Sequence, residues 1–169
     1  MELGGKAPTI VLPSADLELA VNNIIFSFTL NSGQICMATN TVMVHESIAD
    51  EFMSTLTRYT TELEAGADHP MRRGLFSEGS AERARSMLSD ALSKGAKVVT
   101  GQPQADQGNV FQPTVVDSLS PDMRIYSVSH WVYRISRAEK LMTAAVGGAL
   151  CSPAEHHSVL YTERGHRGE

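Results

Sequence analysis

The 169-residue chain is long enough for one domain with a buried core, and its 42% hydrophobic and 20% charged residues are typical of a folded protein. Its formal net charge of −5 argues against binding nucleic acid through a broad basic face. Apolar runs such as Ile24–Phe26 are far too short to span a membrane.

The N-terminus carries an acid and two glycines rather than a basic segment followed by an apolar run. We therefore expect no signal peptide. The two cysteines, Cys36 and Cys151, are then expected to be reduced thiols in an intracellular compartment. The cytoplasm is the expected location.

The first third of the chain predicts a strand, a helix and a second strand. Residues 7–12 are typical of a short buried strand, which Pro13 ends. Ser14 and Asp16 offer N-caps for a helix with an apolar stripe over residues 17–28. Residues 41–44 predict the next strand.

Two further helices are predicted in the middle of the chain. Ser47 is expected to cap a helix that continues to about Leu63. Another helix is expected over residues 80–94, ending at Gly95 as its C-terminal cap. With strands at 98–99 and 115–116, this alternation predicts an α/β layered domain that has a mainly parallel sheet with flanking helices.

The regular pattern stops after residue 126. Tyr133 and Ile135 alternate weakly, and residues 140–150 resemble a short apolar helix with a glycine break. We predict two parts: a domain over residues 1–126, and a divergent tail over residues 127–169 that is partly disordered.

Cys36 is the main chemical candidate. It follows a glycine-containing break at Asn31–Gly33, just past a predicted helix end, and Glu2 lies 34 positions upstream (36 − 2). A thiol and a distant carboxylate base are the minimum for covalent catalysis by cysteine. A helix starting after Cys36 would promote thiolate formation and bind an oxyanion. From these residues alone, a buried structural cysteine and a solvated surface acid are the commoner interpretations.

Several motifs resemble the aldehyde dehydrogenase superfamily. Residues 2–6 read Glu-Leu-Gly-Gly-Lys and residues 33–36 read Gly-Gln-Ile-Cys, at the separation found in that family. Four further segments are similar: Val44–Phe52, Lys94–Val98, Phe111–Val116 and Pro121–Tyr126. The resemblance covers about three quarters of the chain and implies the layered α/β catalytic domain of that family.

The resemblance also implies a reaction, the NAD- or NADP-dependent oxidation of an aldehyde to a carboxylic acid. Cys36 would attack the aldehyde to form a thiohemiacetal, which becomes a thioester after hydride transfer. Glu2 would activate water to hydrolyse that thioester. The backbone N–H of Cys36 would be half of an oxyanion hole, and the backbone at Leu3 and Gly4 would lie near the nicotinamide.

The chain also departs from the family. Members carry a nucleotide-binding domain upstream of the Glu-Leu-Gly-Gly-Lys motif, so we expect the cofactor domain to be absent. In members of the family, a segment like Met123–Tyr126 is followed by paired acids and a Phe-Gly-Pro turn. This chain has Ser127–Trp131 at that place. One alternative is therefore an inactive truncated fragment that acts at most as a binding or interaction module. Another is cofactor-independent ester hydrolysis by Cys36 and Glu2.

The expected ligand is a small-molecule aldehyde, with no nucleic acid and no membrane as partner. The sequence does not decide whether the chain forms a homo-oligomer or a hetero-oligomer with full-length relatives. A metal site is not expected: His156, His157, His166 and Cys151 lack a Cys-x-x-Cys or His-x-x-x-His frame, and a solvated polar tail is the favoured interpretation.

Overall fold

The computed structural model describes residues 7–61, 63–66, 69–101, 108–127, 133–138 and 160–161. The strands are β1 (Ala7–Val11), β2 (Thr39–His45), β3 (Lys97–Thr100), β4 (Val115–Asp117), β5 (Tyr133–Ala138) and β6 (Leu160–Tyr161). The helices are α1 (Leu17–Thr29), α2 (Ala49–Thr60), α3 (Glu78–Ser93) and α4 (Arg124–Ser127). Short 3-10 segments occupy Leu30–Gly33 and Glu46–Ile48.

The six strands form one sheet in the order β3-β4-β5-β2-β1-β6. Neighbouring strands in it run parallel, except that β3 pairs with β4 antiparallel. All five residues of β1 are buried, as is typical of a parallel strand covered on both faces. The predicted α/β class with a mainly parallel sheet is confirmed.

Adjacent residues of β4 show that helices cover both faces of the sheet. Val115 belongs to a buried cluster with residues of α1 and α2, including Phe28 and Phe52. Val116 belongs to a second cluster with residues of α3, such as Leu88. Successive side chains of a strand point to opposite faces. The sheet therefore lies between α1 and α2 on one side and α3 on the other.

Helix α1 begins as the sequence predicts. Of the two candidate caps, Asp16 is the one used, since its carboxylate accepts from the N–H of Leu19 at 3.1 Å. Helix α3 is also present, but it begins at Glu78, two residues before the predicted start at Ser80, with Ser77 as its cap. Gly95 follows it with φ +99°, the left-handed conformation expected of a C-terminal glycine.

The predicted cap of α2 is wrong. Ser47 lies within the 3-10 segment, where its N–H donates to Nδ1 of His45 at 3.2 Å. The α-helix starts at Ala49, and the residue before it makes no side-chain capping bond. His45 therefore caps the 3-10 turn through which the chain enters α2. The helix ends at Thr60, short of the predicted Leu63.

Strands β5 and β6 come from the part of the chain for which the sequence predicts a tail. β5 contains Tyr133 and Ile135 and lies between β4 and β2 in the sheet. The helix expected over residues 140–150 lies outside the described residues, and the boundary at residue 126 stays a prediction. Within the described ranges, no helix is long and apolar enough to cross a membrane.

Candidate functional site

Cys36 lies in a turn at the entrance to β2. The N–H of Ala38 donates to the carbonyl oxygen of Ile35 at 3.0 Å, which closes a turn over residues 35–38. We call these residues the Cys36 turn. Cys36 is half-buried, and Met37 beside it is 65% exposed. The cysteine is thus past a helix end, as predicted.

The helix start that would promote thiolate formation does not follow Cys36 in the structure. The chain passes from the Cys36 turn directly into β2, whose residues Thr39, Thr41, Val42 and Val44 are β-branched and favour extended backbone. The element that follows the thiol in sequence is therefore a strand and not a helix.

The residues before the Cys36 turn adopt a left-handed backbone. Asn31, Ser32 and Gly33 have φ angles of 51°, 55° and 72°. Glycine adopts this conformation freely and asparagine tolerates it, whereas for a residue such as Ser32 it costs about 1–2 kcal/mol. Such backbone persists only where surrounding contacts fix it. The sequence predicts a break at this point but not its handedness.

Ser32 joins this left-handed run to residues 69–76, which we call the support segment. Its N–H donates to the carbonyl oxygen of Met71 at 3.2 Å, and its hydroxyl donates to the carbonyl oxygen of Arg73. His69 accepts from the N–H of Met71 at 3.1 Å, which folds the support segment into a tight turn. The left-handed run is therefore held by residues about 40 positions away in sequence.

Gln34 makes a further link between the two. Its side-chain oxygen accepts from the backbone N–H of Phe76 at 2.7 Å. Its side-chain nitrogen donates to the carbonyl oxygen of Asn31 at 3.1 Å, and the same oxygen accepts from its backbone N–H at 3.1 Å. The Gln34 amide therefore spans from the left-handed run to the support segment, two residues before Cys36.

The support segment is itself fixed by Asn109. The N–H of Leu75 donates to the carbonyl oxygen of Asn109 at 2.7 Å, and the Asn109 side-chain nitrogen donates back to the Leu75 carbonyl at 2.8 Å. A Cβ at Gly74 would lie 2.6 Å from the Asn109 side chain. The Asn109 side chain can therefore lie this close to the backbone at position 74 only because residue 74 is a glycine.

On its other side, the Cys36 turn is held by Thr39. The Thr39 N–H donates to the hydroxyl of Ser27 on α1 at 3.0 Å, and the Thr39 hydroxyl donates to the same oxygen at 3.1 Å. Thr39 is also paired with Ala7 in the parallel register of β1 and β2. The starts of β1 and β2 therefore lie side by side, and the Cys36 turn lies at this edge of the sheet.

Of the predicted site residues, Cys36 is the one that the structure describes. Glu2, Leu3 and Gly4 lie outside the described residues, so their roles stay predictions. Gln34 has no role in the sequence prediction beyond its place in the motif, although its position two residues before the cysteine is a signal for one.

Two surface clefts that are lined by described residues do not include Cys36. One of about 430 Å³ lies between α2 and Gly101, and another of about 320 Å³ lies beside Asp16. A cavity of about 10 Å³, enough for one water, lies under Ser32. Among the described residues, no group of His, Cys, Asp and Glu side chains has an arrangement for a metal ion. The four residues weighed as a metal site lie outside that part of the chain.

The N-termini of α1, α2 and α3 do not fit the phosphates of a dinucleotide. The first turn of α1 carries Glu18, that of α2 carries Asp50 and Glu51, and that of α3 carries Glu78. A helix N-terminus attracts phosphate through its N–H groups, and a carboxylate in the same turn opposes this attraction. A pyrophosphate is thus not expected at any of these three helices.

Residues 1–129 match a family model described as the aldehyde dehydrogenase family. Salicylaldehyde dehydrogenase of Pseudomonas putida is 42% identical over 132 residues, which cover 75% of this chain and 26% of the relative. Succinate-semialdehyde dehydrogenase [NADP(+)] of Deinococcus radiodurans is 35% identical over 167 residues, which cover 90% of this chain and 35% of the relative. The chain thus spans about a quarter to a third of the length of these relatives.

A solved structure gives the same comparison in three dimensions. The crystal structure of a salicylaldehyde dehydrogenase from Pseudomonas putida G7, complexed with salicylaldehyde, superposes with a TM-score of 0.79 at 32% identity. The superposition covers 97% of this chain and 34% of that chain. The layered arrangement of sheet and helices is therefore shared with a protein of known structure.

Proposed function

The chain belongs to the aldehyde dehydrogenase family, and we propose that it takes part in the NAD(P)-dependent oxidation of an aldehyde to a carboxylic acid, with Cys36 as nucleophile. The observation that carries the proposal is the Cys36 turn. It presents a half-exposed thiol at the sheet edge, between a left-handed run and a buried strand that are both fixed by hydrogen bonds. A nucleophile needs such fixed placement against the carbonyl carbon.

The first chemical step needs only the thiolate. The sulfur of Cys36 attacks the carbonyl carbon, a C–S bond forms, and the carbonyl electron pair moves to oxygen. The product is a thiohemiacetal, whose oxygen then takes a proton or a hydrogen bond. NAD or NADP would supply the acceptor for the hydride that leaves this carbon, which converts the thiohemiacetal into a thioester.

The last step releases the acid, and we assign it to Glu2. The carboxylate takes a proton from water, the resulting hydroxide adds to the thioester carbonyl, and the C–S bond breaks to return the Cys36 thiolate. The parallel pairing of Ala7 with Thr39 supports the assignment. Glu2 precedes Ala7 by five residues (7 − 2), a length of chain that reaches about 17 Å. Cys36 precedes Thr39 by three (39 − 36), and these lengths of chain are sufficient for the Glu2 carboxylate to reach the thiol.

The cofactor contacts that we propose within this chain are the backbone groups of Leu3 and Gly4, beside the nicotinamide. The phosphates are assigned elsewhere, because the acidic first turns of α1, α2 and α3 oppose them. This division fits the coverage of the relatives, about two thirds or more of whose length lies outside the match.

We propose an aromatic aldehyde as the substrate class. The relative at 42% identity is named for salicylaldehyde, and the solved structure that superposes over 97% of this chain holds that aldehyde. We also propose the cytoplasm as the compartment, since the mechanism needs a reduced thiol. Exposed apolar side chains at Phe26 and Met37 support association with a further copy or a full-length relative.

A cofactor-free assay tests the role of Cys36. With 4-nitrophenyl acetate, we expect a burst of nitrophenol whose amplitude approaches one per chain, because acylation of a thiol needs no hydride acceptor. Cys36→Ala should abolish the burst, and the matched Cys151→Ala should leave it intact. A burst that survives in Cys36→Ala would contradict the assignment.

A second assay tests the full reaction. Salicylaldehyde with NAD, and separately with NADP, should produce reduced cofactor in the parent chain and none in Cys36→Ala. A Cys36-dependent ester burst without reduced cofactor would limit the function of this chain to the thiol half of the chemistry. If both the ester burst and the reduced cofactor are absent, the result would favour the inactive interaction module instead.

A further inference from the structure

We infer that Gln34 is a positioning residue for Cys36, one that acts through the backbone of the turn rather than by touching the substrate. The inference rests on the proposed function of Cys36. The side-chain amide of Gln34 ties the carbonyl of Asn31 to the backbone N–H of Phe76, and so holds the strained run that leads into the Cys36 turn.

The left-handed backbone makes such a tie necessary. Asn31 and Ser32 are both left-handed, a conformation that asparagine tolerates and that serine leaves unless its surroundings fix it. Relaxation of either residue to negative φ would redirect the chain that enters the Cys36 turn. The thiol would then move relative to Thr39, which stays anchored to Ser27 and to the start of β1.

The two polar atoms of the Gln34 amide oppose this relaxation by binding on both sides, one to the left-handed run and one to the support segment. Its side-chain nitrogen holds Asn31, the first left-handed residue, at 3.1 Å. Its side-chain oxygen holds Phe76, in a segment that Asn109 fixes independently, at 2.7 Å. The contact with position 76 is to the backbone N–H, while the Phe76 side chain is 92% exposed. The tie is thus independent of the identity of residue 76.

A positioning role separates two properties of Cys36. Alkylation by a small reagent such as iodoacetamide depends on thiolate and exposure. Acylation by an ester also depends on the direction of the sulfur relative to the groups that receive the oxyanion. Loss of the Gln34 tie should therefore slow acylation much more than alkylation.

The experiment compares Gln34→Met with the parent chain. Methionine keeps the length of the side chain and removes both hydrogen bonds. We expect the acylation rate constant with 4-nitrophenyl acetate to fall about tenfold or more, because small displacements of reacting groups have effects of this size. The alkylation rate constant of Cys36 should change less than about threefold. Gln34→Asn keeps the amide but is too short to span both partners, so it should change the two rate constants in the same way as Gln34→Met. It serves as the test if Gln34→Met does not fold.

Two controls make the outcomes distinct. Asp16→Ala removes the N-cap at the opposite end of α1 and lowers stability without touching the Cys36 turn, so it should leave acylation unchanged. Phe76→Ala keeps the backbone N–H and should also leave it unchanged. The inference would be overturned if Gln34→Met lowered the acylation and alkylation rate constants equally, or left the acylation rate constant unchanged. Cys36 would remain the nucleophile in either case. A parent chain with no Cys36-dependent burst would overturn both.

Discussion

The hydroxyl oxygens of Thr9 and Thr39 lie 3.0 Å apart, and both side chains are almost fully buried. They join β1 to β2 at the sheet edge where the Cys36 turn ends. A hydroxyl so buried needs its hydrogen bond, because burying it without a partner costs more than the bond itself contributes. This pair therefore couples the stability of the sheet to the placement of the thiol.

We expect Thr39→Val to lower the free energy of unfolding by about 1–3 kcal/mol, since it leaves the Thr9 hydroxyl buried without this partner. The double variant Thr9→Val/Thr39→Val should recover part of the loss, because both polar groups are then gone. Urea unfolding measures both values. Strictly additive losses in the double variant would contradict the coupling between the two hydroxyls.

Gly74 offers a test of the support segment. A Cβ at this position would lie 2.6 Å from an Asn109 side chain that is held by Leu75, so the side chain cannot move away without breaking its bond. We expect Gly74→Ala to cost about 1–3 kcal/mol of unfolding free energy. Gly66→Ala is the matched control, since a Cβ there meets nothing within 4 Å. Equal effects of the two substitutions would show that the approach to Asn109 is not tight.

Two phenylalanines test the described packing with the same substitution. Phe52 is fully buried between α2 and the sheet, whereas Phe76 is 92% exposed. Phe52→Ala should lower the free energy of unfolding by about 3–5 kcal/mol, through lost burial and the remaining cavity. Phe76→Ala should change it by less than about 0.5 kcal/mol. A large loss from Phe76→Ala would mean that its side chain is covered in solution.

Asp90 gives a pH dependence of known sign. The backbone N–H of Arg124 donates to its carboxylate at 2.9 Å, and this bond, aided by Lys94, holds the pKa of Asp90 below its ordinary value. Because the folded-state pKa is lowered, the ionised group stabilises the fold at pH values above the unfolded pKa of about 3.9. That stabilisation is lost as the pH falls through the folded value.

The thermal midpoint of the parent chain should therefore fall below about pH 5 more steeply than that of Asp90→Asn, and the two curves should converge in acid. Differential scanning calorimetry from pH 7 to pH 3 measures the difference. Parallel curves over this range would contradict the contribution of Asp90.

The sequence predicted the elements well where local rules decide them. The cap at Asp16 and the left-handed Gly95 follow from short-range hydrogen bonding and from the freedom of glycine. Ser47 shows the limit of the same rule, because the ring of His45 was the acceptor used instead. A residue of a capping type thus indicates a helix start only when no neighbouring side chain takes the capping role.

The arrangement of the site could not be predicted in the same way. The left-handed φ of Ser32 depends on Met71 and Arg73, which are about 40 positions away and carry no recognisable pattern. The position of β5 between β4 and β2 likewise depends on pairing between distant strands. The motif around Cys36 predicts this residue as the nucleophile, whereas the contacts that hold its turn are long-range and appear only in the folded chain.

The most direct test of the central claim is to locate the acyl group after brief reaction with 4-nitrophenyl acetate and an acid quench. Trypsin should release Cys36 in the peptide of residues 7–58 and Cys151 in that of residues 141–164, so mass spectrometry separates the two. We expect the added acetyl mass on the first peptide, at Cys36, and its removal by hydroxylamine, as for a thioester. An acetyl group confined to the second peptide, or to a side chain other than Cys36, would contradict the account.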